Sequence, residues 1–259
     1  MDTHTRDTVT TSLTSFEILQ TIRRFNGAGV TQIATHLDLG KSTVHRHLST
    51  LEEAEYLVKE DDEYHLSLRF LSLGEHARSR KRAHRIAKEK VNQLASETGE
   101  RAQFMVEEHG HAVYVHTALG AHAVKTDSEV GKHIPMNAVS AGKAVLAELP
   151  EERVREIIRD HGLPKRTENT ITDEEQLFKE LETIREQGYA LNFSESTEGL
   201  RAISVPVKGT GGSVIGAFGV SGPTHRMNND RIENELSGLL LGVSNELKLD
   251  VQFEIEPQE

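Results

Sequence analysis

The chain contains no cysteine. Disulfide bonds, thiolate nucleophiles, cysteine-ligated zinc and iron–sulfur clusters are therefore excluded. No uninterrupted apolar run approaches the roughly 20 residues that a membrane-spanning helix needs, and the opening residues MDTHTRDTVTTS lack the apolar segment of a signal peptide. Aromatic residues make up only 5% and hydrophobic residues 36%, which is a globular composition with a core of modest aromatic content. We expect a cytoplasmic protein with no membrane segment.

Length and charge indicate two domains with different partners. A chain of 259 residues exceeds one average domain and is too short for three. The net charge of -11 argues against indiscriminate adhesion to nucleic acid unless the charge is segregated. It is segregated: residues 1–99 hold 14 Lys/Arg and 14 Asp/Glu, whereas residues 100–259 hold 16 and 27. The acidity therefore belongs entirely to the second part of the chain.

Residues 1–68 have the pattern of three short helices followed by a β-hairpin. Thr14 and Glu17 have the spacing of a capping box at the start of the first helix. Two further helices are predicted at 31–37 and 41–54, and alternating residues around an acidic turn at 60–63 predict the hairpin. This order is that of a winged helix-turn-helix domain.

The helix predicted at 41–54 has one apolar side and one polar side. Val44, Leu48 and Leu51 share the apolar side, and hydroxyl groups and Arg46 lie on the other. Arg46 is the first choice for a contact with a base, because a guanidinium reaches two guanine acceptors at once. An amphipathic helix alone is typical of any protein surface, but its place between a turn and a hairpin favours DNA binding. The residues expected to contact DNA are Lys41, Ser42, Thr43, His45, Arg46, Thr50 and Lys59.

Residues 69–99 are predicted to form one linker helix with a basic face. Positions 69–90 carry eight Lys/Arg against two Glu, and the segment contains no proline. Its apolar positions are too sparse for a buried core helix, so pairing with a second copy of itself is the favoured interpretation.

Residues 100–259 are predicted to form an α+β domain, an antiparallel sheet with flanking helices, because strands and helices mix without strict alternation. Thr172 and Glu175 have capping-box spacing before one of the helices. The strands are predicted at 103–108, 112–117, 202–207 and 214–220, and the helices at 141–149, 151–160, 173–187 and 229–247.

A small-molecule site is predicted where a helix starts with small residues. Ser140, Ala141 and Gly142 open the helix at 141–149, and the backbone N–H groups of such a start attract an anion. Small residues at Ala202, Gly219, Ser221 and Gly222 leave volume beside two predicted strands, and the Ser221 hydroxyl can donate a hydrogen bond.

Other chemistry has weaker support. Gly40, Lys41 and Ser42 resemble the end of a phosphate-binding loop, but Thr35 stands where its first glycine is required. A zinc-dependent enzyme is one hypothesis, since five histidines could gather around a metal, but no carboxylate stands at ligand spacing from the HxH turn. Sequence order does not bring Ser140, His133 and Asp127 together as a hydrolytic triad. We therefore expect no catalytic residues, no metal and no cofactor. The five histidines are His109, His111, His116, His122 and His133.

Five blocks of sequence resemble the IclR family of transcriptional regulators, in that family's order and spacing. They are GKSTVHRHLSTLE at 40–52, EYHLSLRFLSLGEHAR at 63–78, IPMNAVSAGKAVLAELPEE at 134–152, GYALNFSESTEGLRAISVPV at 188–207 and AFGVSGP at 217–223. The resemblance implies a winged helix-turn-helix over 1–68, a linker helix over 69–99 and a GAF-like effector domain over 100–259. It also implies a homodimer or homotetramer that binds a double-stranded DNA operator and a small organic or aromatic acid.

The resemblance also implies a set of ligand-binding positions, three of which depart from the family pattern in ways that matter for the ligand. Asn192 stands where the family often has an acidic residue, and Ala202 and Gly219 stand where it often has a cysteine or a second serine, which favours a larger or less hydroxylated ligand. The positions are Ala123, Met136, Ser140, Ala141, Gly142, Asn192, Leu200, Ala202, Gly219 and Ser221. We expect a ligand-responsive regulator of a catabolic or metabolic operon; the alternative is a homodimeric metabolite-binding module without sequence-specific DNA binding.

Overall fold

The structure is a computed structural model that describes residues 8–126 and 128–253. The chain divides into two compact units, Met1–Ala77 and Arg78–Glu259. No helix within the described ranges is long and apolar enough to cross a membrane.

The first unit contains three helices and a two-stranded hairpin. The helices are α1 (Thr10–Phe25), α2 (Val30–Leu37) and α3 (Lys41–Glu53), and the antiparallel strands are β1 (Leu57–Glu60) and β2 (Glu63–Leu66). Ile18, Ile22, Ile33, Val44 and Leu48 form the centre of its core. The predicted winged helix-turn-helix is confirmed.

The start of α1 differs from the prediction. The helix begins at Thr10 after Val9, and no side chain caps it. Thr14 lies inside the helix, where its hydroxyl donates to the backbone oxygen of Thr10 at 3.2 Å. The predicted capping box of Thr14 and Glu17 is therefore wrong, because a threonine inside a helix can satisfy its hydroxyl on the preceding turn.

The segment expected to be one linker helix forms two helices, α4 (Arg69–Ser79) and α5 (Arg82–Thr98). Lys81 has the extended backbone of an N-cap residue, so the helix is interrupted there. The expectation that this segment is too poor in apolar residues for a core is also wrong for α5. Ala87, Val91, Leu94 and Ala95 are buried in the core of the second unit, because alanines pack closely against a sheet.

The second unit is built on a six-stranded antiparallel sheet within the described residues. Its order is β5-β4-β3-β8-β7-β6. The strands are β3 (Arg101–Glu108), β4 (His111–Leu119), β5 (His133–Pro135), β6 (Ala190–Phe193), β7 (Leu200–Lys208) and β8 (Val214–Pro223). The α+β prediction is confirmed, although the short strands β5 and β6 were not expected.

Helices cover both faces of this sheet. One face packs on α5 and on the last helix through Phe104, Val205, Phe218 and Val220. The other packs mainly on α6 (Ser140–Glu148) and α8 (Glu174–Gln187). The last helix starts as a turn, continues through a π-helical turn at Ile232–Leu236 and then becomes α-helical. The remaining helices are α6 (Ser140–Glu148), α7 (Glu151–His161), α8 (Glu174–Gln187), α9 (Asn229–Arg231) and α10 (Ser237–Phe253).

The N-cap of α8 is one residue later than predicted. The Asp173 carboxylate accepts from the Gln176 backbone N–H at 2.8 Å. The predicted capping box of Thr172 and Glu175 is therefore wrong, since aspartate caps a helix as well as threonine does and its carboxylate also favours the positive end of the helix dipole.

Candidate nucleic-acid interface and ligand pocket

The polar side of α3 faces solvent. Val44 and Leu48 are buried against the rest of the first unit, which directs the opposite side of the helix outward. No acidic residue occurs between Lys41 and Leu51, so this surface lacks groups that repel phosphate. The exposed or half-buried predicted contacts on it are Lys41, Ser42, Thr43, His45, Arg46 and Thr50.

Two of these side chains already have partners within the helix. The Thr50 hydroxyl donates to the backbone oxygen of Arg46 at 2.9 Å. His45 Nδ1 lies 3.4 Å from the Ser49 hydroxyl. The Thr50 hydroxyl can still accept a hydrogen bond, but its proton is used by the helix.

The hairpin brings Lys59 near the same surface. Lys59 is exposed, and its ammonium lies 5.6 Å from the centre of the Tyr64 ring. Lys59 and His45 line one groove with Thr31 and Gln32 at the start of α2. Asp62 and Glu63 line the same groove, so the positive and negative charges of the hairpin meet there.

A cavity in the second unit lies between the start of α6 and the sheet. Its enclosed volume is about 80 Å³, and the cleft around it opens to solvent. Small-molecule sites usually enclose roughly 300 Å³ or more, so this cavity is small. The side chains that line it come from the sheet, from α6 and from two loops. They are Arg101, Gln103, Met105, Tyr114, Thr126, Ile134, Val139, Ser140, Ala141, Arg166, Asn192, Ser196, Thr197, Leu200, Arg201, Ala202 and Ser221.

Six of the ten residues expected to bind a ligand line this cavity: Ser140, Ala141, Asn192, Leu200, Ala202 and Ser221. The fold brings them together from α6 and three strands. Ser221 and Ala202 are direct cross-strand partners, and Asn192 also pairs with Ala202.

The other four lie outside the lining. Gly142 is packed against backbone, since a Cβ there would stand 2.3 Å from the Met136 backbone oxygen. A Cβ on Gly219 would stand 2.5 Å from the Ser204 hydroxyl, so this glycine is also required by close packing. Met136 lines a different cavity, and Ala123 lies in the loop between β4 and β5.

The start of α6 is tied to the sheet by hydroxyl groups. Ser140 Oγ lies 2.8 Å from Ser204 Oγ, and both side chains are buried. The Asn192 amide donates to the Ala138 backbone oxygen at 2.7 Å. These bonds hold the first turn of α6 at the cavity, where its backbone N–H groups favour an anion.

Arg101 is the main cavity residue that was not anticipated. It is the first residue of β3 and is only 8% exposed. Its Nε donates to Ser221 Oγ at 2.9 Å and its Nη1 donates to Thr126 Oγ1. Burial lowers the pKa of Arg101, and a hydrogen bond with Tyr114 opposes this effect. Even so, an arginine stays protonated under physiological conditions.

The signal for Arg101 was present in the sequence as strand alternation. Arg101, Gln103 and Met105 stand at every second position of β3, and all three line the cavity. Polar residues at such positions normally indicate a solvated face. Here that face is covered by α6, a fact that only the tertiary structure provides.

Charge in the cavity lining has one sign. Arg101, Arg166 and Arg201 line it, and no Asp or Glu does so among the residues that the structure describes. Arg201 is directed away by its bonds to the Met227 backbone oxygen and to Asn229, and it covers the Phe193 ring at 4.1 Å. Among the described residues, the charged side chains of the lining are therefore all basic, although residues 100–259 as a whole are acidic.

A buried ion cluster supports the cavity wall. Lys143 of α6 is 1% exposed, and its Nζ lies 2.8 Å from Glu195 and 2.9 Å from Glu180. Burial raises the pKa of Glu195, whereas the charge of Lys143 opposes that rise. Glu195 directly precedes Ser196 and Thr197 of the cavity lining, so the pair ties this loop to α6.

A second buried carboxylate lies next to Arg101 in the chain. Glu100 accepts two hydrogen bonds from Arg226, at 2.7 and 2.9 Å, and one from Arg231 at 3.0 Å. Arg231 also donates to the Thr98 backbone oxygen at the end of α5. This cluster joins the end of α5, the start of β3 and the segment after β8.

The histidines do not gather as a metal centre. His111 stacks edge-on with His133 and His161, at centroid distances of 5.8 and 4.5 Å, but no group of three potential ligands within the described residues could hold a metal ion. His116 is buried and bonds to the His84 backbone oxygen instead. Asp127, considered above for a hydrolytic triad, lies outside the described residues.

Sequence models of two domains match this chain. The IclR helix-turn-helix domain matches residues 15–61, and the bacterial transcriptional regulator IclR C-terminal domain matches residues 76–248. A probable HTH-type transcriptional regulator ArcR from Halobacterium salinarum is 28% identical, with 94% of each chain covered.

Solved structures agree with this match. The IclR crystal structure from Thermotoga maritima superposes with a TM-score of 0.79 and 26% identity, covering 94% of this chain and 99% of that one. The inducer-binding domain of a PobR double mutant from Acinetobacter, in complex with 3-hydroxybenzoic acid, superposes with a TM-score of 0.58 and 28% identity, covering 63% and 96%. Because the C-terminal domain model alone spans more than half of the sequence, the chain belongs to the IclR family of transcriptional regulators.

Proposed function

We propose that this regulator controls a catabolic or metabolic operon and that a small organic acid in the α6 cavity changes its affinity for operator DNA. The observation that carries the proposal is the charge of the cavity lining: Arg101 and Arg166 stand in it without bonds to a described carboxylate, and no described carboxylate lines it. A helix start aimed at the same space adds further attraction for an anion. The PobR domain of similar fold binds 3-hydroxybenzoic acid, which supports an acid as the ligand class.

The polar side of α3 is the proposed DNA-reading surface. Its first turn and Arg46 would enter the major groove, with Ser42 and Thr43 placed for phosphate oxygens and Lys59 for the backbone beside the hairpin. The exposure of these side chains and the absence of acidic residues between Lys41 and Leu51 support this assignment. In this proposal residues 1–68 form the DNA-binding domain, residues 69–99 link the two domains and residues 100–259 form the ligand-binding domain.

A homodimer or homotetramer is the proposed assembly. Leu68, Leu71 and Leu73 are 81%, 68% and 53% exposed, and a second copy can cover such exposed apolar side chains. Light scattering after size exclusion tests this proposal, since a monomeric mass at micromolar concentration would contradict it.

The testing experiment measures DNA binding by fluorescence anisotropy. DNA from upstream of the chain's own gene is compared with scrambled DNA across a potassium chloride series, with and without hydroxybenzoates, 2-oxo acids and short dicarboxylates. We expect tight binding to the upstream fragment and at least a fivefold change in Kd with one acid class. Equal affinity for both DNAs at every salt concentration would favour the alternative, a metabolite-binding module that does not read DNA.

A further inference from the structure

We infer that Arg101 is the counterion of the ligand's carboxylate and sets the selectivity of the cavity for acids over their neutral analogues. This inference rests on the proposed function, because it concerns the same cavity. None of the ligand positions implied by family resemblance includes Arg101.

The described partners of the Arg101 guanidinium are neutral groups, which position it without balancing its charge. Ser221 accepts from Nε at 2.9 Å, Thr126 accepts from Nη1, and Tyr114 is a third hydrogen-bonding partner. No carboxylate oxygen lies within 4.0 Å of its nitrogens among the described residues. The side chain is thus buried and held by neutral partners, and none of the described residues supplies it with a carboxylate.

Other arginines of the same unit show the contrast. Arg153 pairs with Glu107 and Glu156, and Arg226 pairs with Glu100, although both arginines are more exposed than Arg101. The unit has an excess of carboxylates, yet its most buried arginine has no described carboxylate partner. Desolvating an unpaired charge is unfavourable, so the site favours an anion that supplies the missing partner.

The location of Arg101 identifies the part of the ligand that it meets. It lies on β3 opposite Ser221, whose other cross-strand partner is Ala202. The small side chain of Ala202 leaves room beside the guanidinium, and Asn192 brings no negative charge to the site. A carboxylate fits this environment because it can accept two parallel hydrogen bonds from a guanidinium. A primary amide of the same shape cannot neutralise the charge.

The other two arginines of the lining are poorer candidates. Arg201 uses its guanidinium for the Met227 backbone oxygen and for Asn229. Arg166 is exposed, where water screens its charge. Arg101 is therefore the residue at which a ligand charge is expected to have the greatest effect.

The experiment combines protein charge with ligand charge. Isothermal titration calorimetry measures the Kd of four acids and of the primary amide or diamide of each: 3-hydroxybenzoate, 4-hydroxybenzoate, pyruvate and succinate. The proteins are the full wild-type chain and the variants Arg101→Gln, Arg101→Lys and Arg159→Gln. Arg159 is exposed and outside the cavity, so its variant controls for the change in net charge. Thermal unfolding of each variant verifies that it is folded.

We expect the tightest acid to bind wild-type at least tenfold better than its amide. Arg101→Gln should reduce the affinity for the acid at least tenfold and leave the affinity for the amide within threefold of wild-type. Arg101→Lys should lose less affinity for the acid than Arg101→Gln does, and Arg159→Gln should bind the acid as wild-type does. Equal losses for acid and amide would overturn the inference, since they would show a packing role. Retained acid affinity in folded Arg101→Gln would also overturn it.

Two further measurements separate the possible failures. If an acid changes DNA affinity in wild-type and also in Arg101→Gln, the inference fails and the proposed function stands. If no acid binds wild-type or changes its DNA affinity, both the inference and the proposed function fail.

Asp127, which follows Thr126 in sequence and lies outside the described residues, is tested by Asp127→Asn. A Kd for the acid within twofold of wild-type is expected, and a tenfold change would show that this residue balances Arg101 in place of the ligand.

Discussion

Replacing Glu100 by glutamine should destabilise the second unit in a pH-dependent manner. Glu100 is 1% exposed, and three charge-assisted hydrogen bonds from Arg226 and Arg231 reach its carboxylate. Removing one member of a fully buried ion pair costs about 3–5 kcal/mol. Because both arginines remain partly exposed to water, we expect a smaller loss, about 2–3 kcal/mol in the free energy of unfolding at pH 7.

The pH dependence follows from the shifted pKa of the Glu100 carboxyl. Burial acts to raise this pKa, but the hydrogen bonds and charges of Arg226 and Arg231 together hold it below its ordinary value of 4.5. A carboxyl with a lowered folded-state pKa contributes stability above the unfolded-state pKa and loses it as pH falls through the folded-state value. The difference between wild-type and Glu100→Gln should therefore be full at pH 7 and should shrink below about pH 4.5.

Urea unfolding followed by circular dichroism at pH 7, 5 and 3.5 measures this difference. The matched control is Glu175→Gln, because Glu175 forms an exposed pair with Lys179 and should change stability by less than about 0.5 kcal/mol. If Glu100→Gln lowers the free energy of unfolding equally at all three pH values, the electrostatic reasoning is refuted and the loss comes from packing around the side chain. A loss no larger than that of the control would refute the buried clamp itself.

Three other predictions concern the DNA surface and the cavity. Arg46→Ala should cost about 1–3 kcal/mol of operator affinity and much less on scrambled DNA in anisotropy titrations; equal losses on both DNAs would exclude base reading. Ser221→Leu should fill the space beside Arg101 and abolish the response of DNA affinity to acid while sparing DNA affinity itself, and an unaltered response would place the ligand elsewhere. Gly142→Ala should lower the midpoint of urea unfolding, because the new Cβ would stand 2.3 Å from a backbone oxygen. The expected loss in the free energy of unfolding is about 1–3 kcal/mol. An unchanged midpoint would show that the first turn of α6 shifts freely.

Elements with strong local signals were predictable from sequence. The polar and apolar sides of α3 follow from its 3.6-residue period, and Val44 and Leu48 are indeed its buried residues. The hairpin turn was also marked by its own residues, with Asp61 in the left-handed conformation. Six cavity residues were identified because motif blocks keep their order along the chain.

Features that depend on distant packing were not predictable. The capping boxes failed for two different reasons. The helix α1 begins earlier, at Thr10, without a side-chain cap, and α8 is capped by Asp173 in place of Thr172. The burial of α5 was missed because alanines such as Ala87 form core contacts only when a sheet lies close by. Arg101 and Ser221 are 120 positions apart in the chain, and only the β3–β8 register makes them neighbours.

The two buried charges that neighbour each other in sequence belong to different environments, and this separation bears on regulation. Glu100 is neutralised within the fold by Arg226 and Arg231, whereas the Arg101 charge faces the cavity. A ligand changes DNA affinity only if it binds the DNA-competent and incompetent arrangements differently. Arg101 is the first residue of β3 and stands three residues after the end of α5. The Glu100 cluster joins the start of β3 to the end of α5, so a ligand bound to Arg101 acts directly beside this connection. If this connection carries the response, folded Glu100→Gln should bind acid normally yet show a reduced change in DNA affinity; a full response in that variant would show that the cluster only stabilises the fold.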